Sequence, residues 1–489
     1  MPQKTAPFNI ESAPDKENLT AKSGGVLLAE LFHATGCAAA ADEIGVRSAR
    51  GYSDGDHVLS GVLLNALGFE TSDDLVHLRS DGGLVVLNNL LKKYQEKERR
   101  TENAFPSPPA FRQWMLDAGR TPESLAKFSD LCSIPVSCAQ KMRPERKVTI
   151  DPDATMIPTE RGEDVLCNYK GEKSNMAFNA YVSQWDMVIH SEYHAGNVSP
   201  RCDQLGLVRR ALSKLPEGVE EVELRIDSAG YGTDLIRYCC GGESPYGVMR
   251  FFISVPMYKS YRSEIEHLPK DAWHCFHDGN GEENTGLRRA EVNIVPNTPV
   301  FSEPYPEIRF VAVREKMSHP ERKDEIDARR MDLFIEEIEG EHPKVERLHL
   351  TVMDETVRKM FLMVTNDFER DGEQALRYHR ERCGKSGEVH GILKNDLAGG
   401  HVPGADFGAC ALWWYLCVLA YNLQRLMTHA LFPEEWARVR RKRLLATIYP
   451  TPAKIVHHGK RIVIRVFGLP GKLIENARWK LLRLHRMNI

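Results

Sequence analysis

The sequence predicts an α/β protein of several domains, and three observations support this prediction. The chain has 489 residues, of which 42% are hydrophobic and 27% charged, as in a globular protein with a sizeable core. Residues 24–131 show the apolar spacing of helices, whereas strand-like alternation begins near Lys147. Helical spacing returns from Glu373. A chain of this length and pattern typically forms two to four domains.

The first segment, residues 1–140, is predicted to be an N-terminal helical domain. Asp54 or Asp56 can cap a helix, and Ser72 can cap the next one. Prolines then interrupt the pattern before a helix at 111–118. Small helical domains of this kind often bind DNA or dimerise, but no helix-turn-helix pattern is present. Simple packing is therefore the competing interpretation.

The second segment, residues 141–260, alternates strands with helices in the order β-β-β-α-β-α-β. The predicted elements are strand 148–155, a hairpin of strands 177–184 and 187–193, helix 202–215, a strand ending at Asp227, helix 233–239 and strand 249–258. This order is typical of a ribonuclease-H-like core, in which the first strand and the later central strand are neighbours. Such pairing would bring Asp153 close to Asp227.

The remaining segments complete a mixed sheet core with a β-rich insertion. Residues 261–372 contain several prolines and three strand-like stretches, and form the insertion or, alternatively, a separate domain. Residues 373–433 form the helical second part of the core. Their apolar run, 409–421, has the length of a buried core helix and is too short for a membrane span. Residues 434–489 form a basic C-terminal region with a strand at 460–467 and a final helix at 477–486.

Two aspartates at predicted strand ends are the candidate catalytic residues. In the later strand Glu223, Arg225 and Asp227 share one face, because side chains alternate along a strand. A carboxylate at the end of a buried strand is costly to desolvate unless a cation meets it, and a metal ion is the usual cation. Asp153 is the candidate on the first strand, with Asp151 on the same face as its rival. A solvated strand-end aspartate is the simpler alternative.

Charge is distributed unevenly along the chain. The net charge is −3, but residues 434–489 carry fourteen Lys and Arg against three Glu, a net charge of +11. The rest of the chain is therefore strongly acidic. A basic tail on an acidic body is typical of a protein that binds a polyanion, although a solvated basic face is an equal competitor.

Cysteine usage and the N-terminus predict a cytoplasmic protein. The eleven cysteines contain no CxxC pair, as expected for free thiols in a reducing compartment. The one dense His/Cys cluster, 273–277, lacks the second half that a structural zinc site needs. Residues 1–23 are polar and contain no apolar signal-peptide core. No membrane partner is expected.

Seven short motifs, met in order along most of the chain, give a more specific result. They are Asp151–Thr155, Tyr169–Lys173, His190–Asn197, Arg225–Tyr231, Arg382–Ser386, Lys394–Gly400 and Ala420–Leu423. Together they resemble the DDE transposases of the insertion-sequence-1380 group, within the insertion-sequence-4-like clan. The resemblance runs from about Leu27 to the C-terminus.

The resemblance implies a ribonuclease-H fold in which two Asp and one Glu hold two divalent ions, Mg²⁺ or Mn²⁺. Two such ions stabilise the attacking and leaving oxygens during phosphodiester cleavage. It favours Asp153 over Asp151, because the family places its Asp immediately before Ala-Thr. It implies a nucleoid-associated homodimer that cuts and joins DNA at the terminal inverted repeats of a bacterial insertion sequence. The candidate DNA contacts are Lys170, Lys173, Arg382 and Lys394.

The third acid departs from the pattern of the clan. There a Glu is followed by six residues and a Lys, and counting back from Lys394 reaches Gly387. Glu388 is the predicted metal ligand, although it lies about 120° from Lys394 around a helix. The alternatives are a surface role for Glu388, with Glu381 a distant substitute, or a degenerate copy that only binds DNA ends. A nuclease without strand joining is a further alternative.

Overall fold

The computed structural model describes residues 19–47, 51–94, 103–159, 165–168, 170–294, 307–316, 350–353, 356–437, 439–458, 461–468 and 470–486. The helices are α1 (Ser23–Ala34), α2 (Cys37–Ile44), α3 (Asp54–Ala66), α4 (Leu75–Ser80), α5 (Gly82–Tyr94), α6 (Pro108–Ala118), α7 (Pro122–Asp130), α8 (Ile134–Met142), α9 (Gln204–Leu212), α10 (Thr233–Gly241), α11 (Lys259–Glu266), α12 (Gly372–Arg380), α13 (Lys385–Gly391), α14 (Phe407–Leu426), α15 (Arg441–Thr447) and α16 (Pro470–Arg486).

The strands show that the protein is a mixed α/β protein, as predicted. They are β1 (Leu19–Thr20), β2 (Lys147–Pro158), β3 (Ser174–Val182), β4 (Met187–Ala195), β5 (Glu221–Ile226), β6 (Arg250–Val255), β7 (His274–His277), β8 (Glu283–Val292), β9 (Arg309–Lys316), β10 (Leu350–Met353), β11 (Thr356–Thr365), β12 (Ala453–His458) and β13 (Arg461–Val466). One of the three strand-like stretches of the predicted insertion is 345–352, and its first five residues lie outside the described residues.

The chain divides into two compact units. Unit 1 comprises Met1–Arg143, Ile157–Val165 and Gly391–Ile489, and unit 2 comprises Pro144–Met156 and Leu166–His390. This division differs from the five predicted segments, because the segment 373–433 contributes to both units. The basic C-terminal region folds with the N-terminal helices because its buried residues need an apolar partner. The roles assigned to the five segments stay predictions.

Unit 1 is built around the long apolar helix α14. Trp413 and Trp414 are fully buried, so the predicted core helix is confirmed. Helices α6 and α14 meet at Gly119 and Gly408, where a Cβ on Gly408 would lie 2.0 Å from the Gly119 carbonyl oxygen. Only glycine permits this approach. Arg441 of α15 is buried and donates to the carbonyl oxygen of Asn65, which ties the C-terminal region to α3.

Unit 1 contains one pair of apolar helices whose combined length and composition would suit a bent membrane span. No single helix among the described residues is long and apolar enough to cross a membrane. One bent pair, Ser23–Ala34 with Cys37–Ile44, would meet the test of length and composition when the two helices are taken together.

Unit 2 contains a mixed sheet of ten strands in its described residues. The strand order is β4-β3-β2-β5-β6-β11-β9-β8-β7, and β10 pairs with β11. Strand β5 runs parallel to both β2 and β6, and β3 and β4 form an antiparallel hairpin. Ile150 of β2 is the partner of Leu224 of β5, so the first strand and the later central strand are neighbours, as predicted.

The strands of the predicted insertion continue this same sheet. Leu362 of β11 pairs with Val255 of β6, and β9, β8 and β7 follow in antiparallel order. Within the described residues the strands of the insertion therefore extend the main sheet. The reason is that β6 has a free edge on the side away from β5, which β11 can pair with.

The polar face of β5 is buried and neutralised by ion pairs. Glu223 pairs with Lys147 at 2.8 Å and with Arg370 at 3.1 Å. Arg225 pairs with Asp151 at 2.8 Å, and the Tyr378 ring lies under the guanidinium groups of both Arg225 and Arg370. Alternation predicted which side chains share this face, and the ion pairs explain how a charged face can be internal.

Candidate functional site

Asp153 and Asp227 lie near each other on adjacent parallel strands of unit 2. Asp153 is on β2, three residues after the paired Ile150, and Asp227 directly follows β5. Burial raises the pKa of both carboxyls, and the charge of Asp153 further raises the pKa of Asp227. Two buried like charges in proximity favour a cation between them.

A tight turn after β5 positions the Asp227 carboxylate. Its Oδ1 accepts a hydrogen bond from the Ala229 amide at 2.9 Å, and a short helical turn spans Ser228–Gly230. A Cβ on Gly230 would lie 2.3 Å from the Ile226 side chain, so the turn requires glycine. The Ser-Ala-Gly sequence therefore fixes the carboxylate at the strand end. The amide of Ala154 plays the same part for Asp153, at 3.0 Å from its Oδ1.

Asp151 differs sharply from Asp153, although both lie on the same strand face. The Asp151 carboxylate is fully buried, and each of its oxygens accepts a hydrogen bond from Arg225 at 2.8 Å. The Ser183 hydroxyl donates to it as well, at 3.0 Å. A bidentate arginine pair occupies the oxygens that a metal ion would need. The geometry therefore favours Asp153 for the first ligand position.

Arg382 lies beside the carboxylate pair. Its NH2 is 3.7 Å from Asp153 Oδ1, and its positive charge lowers the pKa of both Asp153 and Asp227 against the effect of burial. Its Nε is buried and donates to no acceptor among the described residues. The predicted role of Arg382 as a DNA contact stays a prediction. In the structure its charge partly neutralises the two acids.

Helix α13 directs Ser386 and His390 towards Asp153. His390 Nδ1 is 3.7 Å from Asp153 Oδ2, and the Ser386 hydroxyl acts to lower the pKa of this carboxyl. The two residues are four apart, so they share a helix face. The Ser191 hydroxyl donates to Asn179 Oδ1, which leaves the Asn179 amide nitrogen 3.2 Å from His390 Nε2. We therefore assign the ring proton to Nδ1, which faces Asp153.

Glu388 lies on a different face of α13. Each helical residue adds 100°, so Glu388 is 200° from both Ser386 and His390. Its side chain is 39% exposed and its carboxylate lies 3.9 Å from Lys385 Nζ. A Cβ on Gly387 would meet no atom within 4 Å. The structure therefore does not bring Glu388 to the two aspartates. Glu381 is 65% exposed and pairs with Arg225 at 2.8 Å.

The side chains around the two aspartates provide few ligands for a metal ion. The described ranges contain no group of three or more His, Cys, Asp or Glu side chains that could hold a metal ion. The oxygens of Asp153 and Asp227 are hard donors, which fit a single Mg²⁺ or Mn²⁺ ion that keeps several water ligands. The donor set thus fits one divalent ion. The third acid that a pair of ions requires is not in place among these residues.

His379, which no sequence pattern indicated, supports the strand end that carries Asp227. His379 is buried on α12, and its Nε2 lies 3.1 Å from the Ile226 carbonyl oxygen. Burial lowers the pKa of His379 to about 4, and the charges of Arg382 and Arg225 act in the same direction. The ring is therefore neutral near pH 7 and donates to the carbonyl. No sequence signal marks this histidine, because its partner is 153 positions away.

The predicted lysine contacts lie in different places. Lys170 and Lys173 are exposed in the turn between β2 and β3, where Asn168 Oδ1 accepts from the Lys170 amide at 2.8 Å. Tyr169 lies outside the described residues. Lys394 belongs to unit 1, in a π-helical turn Ile392–Asp396, and burial lowers its pKa. Contact of these lysines with DNA stays a prediction.

Comparisons with known proteins give little further support. No protein-family model matches the chain, and no curated protein matches it. One solved structure with some similarity is the piggyBac transposase synaptic complex with hairpin DNA. It has a TM-score of 0.39 and 12% sequence identity, over 86% of this chain and 76% of that chain. A likeness of this size supports no conclusion about fold or function.

Proposed function

We propose that this protein is a DDE-type transposase with a ribonuclease-H-like core, which cuts and joins DNA by metal-dependent phosphodiester chemistry. The observation that carries the proposal is the proximity of Asp153 and Asp227 on adjacent parallel strands. The sheet order β4-β3-β2-β5-β6 supports the proposed core. The sequence motifs support the finer assignment to a bacterial insertion sequence. Its proposed partners are then the terminal inverted repeats and the target DNA. We propose that it acts as a homodimer in the cytoplasm.

The residues of the site have separate roles in the proposed reaction. Asp153 and Asp227 would hold a divalent ion, which when bound would polarise the phosphate and help to activate a water or a 3′-hydroxyl. The amides of Ala154 and Ala229 fix the orientation of the two carboxylates. The positive charge of Arg382 partly offsets the charge of the two carboxylates. Its guanidinium group could also donate hydrogen bonds to a phosphate bound beside them. Burial of the carboxylates strengthens each of these electrostatic interactions.

A second candidate function, binding of DNA ends without cleavage, is supported by the position of Glu388. Glu388 points away from the aspartate pair and Gly387 has no side chain. A copy without the third ligand would bind DNA ends without cutting them. The proposed ligand role of Glu388 would require the first turn of α13 to rotate. A nuclease without strand joining differs from the leading proposal only in its products.

The proposed function is tested with the full chain on DNA that carries the sequences flanking its gene. Asp153→Asn and Asp227→Asn should each reduce cleavage in Mg²⁺ or Mn²⁺ by roughly 100-fold or more, because each removes a ligand charge but keeps the side-chain shape. DNA binding, measured without a divalent ion, should stay close to wild type. Glu381→Gln is the matched control and should cleave normally.

Three outcomes separate the candidates. Joined products alongside cut ends support a transposase, and cut ends alone identify a nuclease. Binding to the ends without cleavage by the wild-type chain supports the degenerate copy. Cleavage by Asp153→Asn at the wild-type rate would show that the proposed site is wrong.

A further inference from the structure

We propose that unit 1 carries a DNA-binding surface close to the C-terminus, separate from the residues that hold the proposed metal. It consists of two patches, a sheet patch of Lys454, Arg465 and Phe467 and a helix patch of Lys472, Trp479 and Arg483, which we together name the basic–aromatic surface. Lys454 and Arg465 lie on the three-stranded sheet of unit 1, Phe467 directly follows β13, and the last three lie on α16. The identity of the polyanion as DNA rests on the proposed function.

The sheet patch contains two positively charged side chains at directly opposite positions on neighbouring strands. Lys454 of β12 and Arg465 of β13 are paired in the antiparallel register, and both side chains are exposed. No carboxylate among the described residues pairs with either of them. Like charges at directly opposite positions destabilise a sheet. An anionic ligand that lies across both strands would remove this repulsion.

The same face of β13 continues into an exposed aromatic residue. Val463, Arg465 and Phe467 alternate along the chain, so their side chains share one face. Phe467 is 50% exposed, whereas Ile455 on β12 is buried. The apolar side of this small sheet therefore already packs on unit 1. The exposed side combines cations with an aromatic ring, which suits a ligand that has both phosphates and flat apolar groups.

Helix α16 repeats this combination on its exposed side. Ile474, Ala477 and Leu481 are buried and form its packed face. Lys472, Trp479 and Arg483 are spaced by seven and four residues, so they form a stripe on another face. Trp479 is 59% exposed. Its indole ring is available for stacking between two cations that can contact phosphates.

The packing of α16 favours DNA over a membrane surface. An amphipathic helix that binds a lipid surface inserts its apolar face between the headgroups. Here that face is used inside unit 1, and the presented face is basic with one aromatic residue. The region 434–489 also carries a net charge of +11 in a chain of net charge −3. Phosphate contacts by Lys and Arg, with stacking of unpaired bases on Trp and Phe, are the mode in which proteins bind single-stranded DNA.

Truncation cannot test this surface, because the C-terminal region supplies core residues of unit 1. We therefore use the full chain with Lys454→Gln and Arg465→Gln combined, with Lys472→Gln and Arg483→Gln combined, and with all four. DNA affinity is measured without a divalent ion at salt concentrations between 50 and 200 mM. Over this range the loss of affinity with salt reports the number of phosphate contacts. The probe is a single-stranded oligonucleotide, because its unpaired bases can stack on aromatic rings. The slope of log affinity against log salt should flatten by about 0.7 for each lost phosphate contact.

The aromatic residues give a second readout. Trp479→Ala and Phe467→Ala should each weaken binding roughly tenfold at every salt concentration with no change in slope, and Trp479→Phe should restore most of it. The matched control replaces four exposed cations outside the surface, Arg120, Lys127, Lys270 and Lys316, with Gln. Circular dichroism checks that each variant is folded.

Three results would overturn the proposal. The first is an unchanged slope in a folded four-cation variant, and the second is equal flattening in the matched control. The third is binding of the wild-type chain to vesicles of phosphatidylserine and phosphatidylcholine that is lost in the four-cation variant, while DNA binding is kept. None of these results affects the cleavage test of Asp153 and Asp227, so the two proposals fail separately.

Discussion

The acidic residues on β2, on β5 and directly after β5 form two rows, and the rows differ in the cations that neutralise them. In one row, Asp151 is held by Arg225 and Glu223 by Lys147 and Arg370. Burial alone would raise the pKa of Glu223, but hydrogen bonds from Lys147, Tyr378 and Arg370 outweigh it and lower the pKa. In the other row, Asp153 and Asp227, burial prevails and the pKa of both is raised.

The comparison separates the structural acids from those of the proposed site by the groups that pair with them. All four carboxylates are largely removed from water, so burial does not distinguish the rows. The paired row stabilises the packing of the sheet against α12. The row that is only partly neutralised costs stability, which is expected where a site must accept a cation and a phosphate.

The largest expected effect compares Asp151 with Asp153. Asp151→Asn should lower the free energy of unfolding by about 3–5 kcal/mol, because it leaves the buried Arg225 without its main partner. Asp153→Asn should leave the free energy of unfolding equal to or above that of wild type, because it removes a charge that burial disfavours. Urea unfolding at pH 7 measures both. Equal destabilisation by the two variants would contradict the distinction between the rows.

The second prediction concerns His379, which supports Asp227 from α12. Its pKa in the folded chain is about 4, below the ordinary 6.5. Stability from the neutral ring is therefore fully present above pH 6.5 and is lost as the pH falls towards 4, by about 3 kcal/mol. Unfolding free energies measured across this range should show the loss in wild type. In His379→Gln the pH dependence over the same interval should be shallower, and an identical dependence would rule out this histidine as its source.

The third prediction concerns which position of α13, 387 or 388, can supply the third acid. Gly387→Glu should raise cleavage roughly tenfold, because a third carboxylate completes the ligand set and a Cβ there meets no other atom. Glu388→Gln should keep cleavage near the wild-type rate, since its carboxylate is exposed beside Lys385. Cleavage assays in Mg²⁺ compare the two variants. A complete loss of activity in Glu388→Gln would mean that α13 rearranges when the ion binds.

The smallest expected effect concerns Glu381, the second carboxylate that pairs with Arg225. Glu381 is 65% exposed, so water screens its pair with Arg225. Glu381→Gln should change the free energy of unfolding by less than about 1 kcal/mol, against the much larger effect of Asp151→Asn. The same urea titrations supply this value. A loss as large as that of Asp151→Asn would show that exposure does not separate these two partners of Arg225.

The local features of the fold could be predicted from the sequence. Strand β5 and its turn follow from the alternation before Asp227 and from Ser-Ala-Gly after it. The hairpin of β3 and β4 follows from two alternating runs around a short turn, and α14 from a long apolar run. Each of these depends on neighbours within a few positions, so the pattern of residue types contains the necessary information.

Other features depend on residues far apart in the chain. Sequence periodicity could not place the insertion strands in the main sheet, because the pairing of β11 with β6 joins residues about a hundred positions apart. Nor could it place the C-terminal region in the same unit as the N-terminal helices. Buried apolar residues such as Ile474 indicate that a segment packs, but they do not indicate on what.

The candidate site shows the same division between sequence and tertiary structure. The sequence by itself determined that Asp151 and Asp153 share one face of β2 and that Asp227 ends a neighbouring strand, because side chains alternate along a strand. Only the tertiary structure decided which aspartate remains for the proposed metal ion. Arg225, 74 positions away, occupies Asp151 and leaves Asp153 beside Asp227. A local pattern fixes the direction of a side chain, whereas the group that meets its charge comes from long-range pairing of strands and helices.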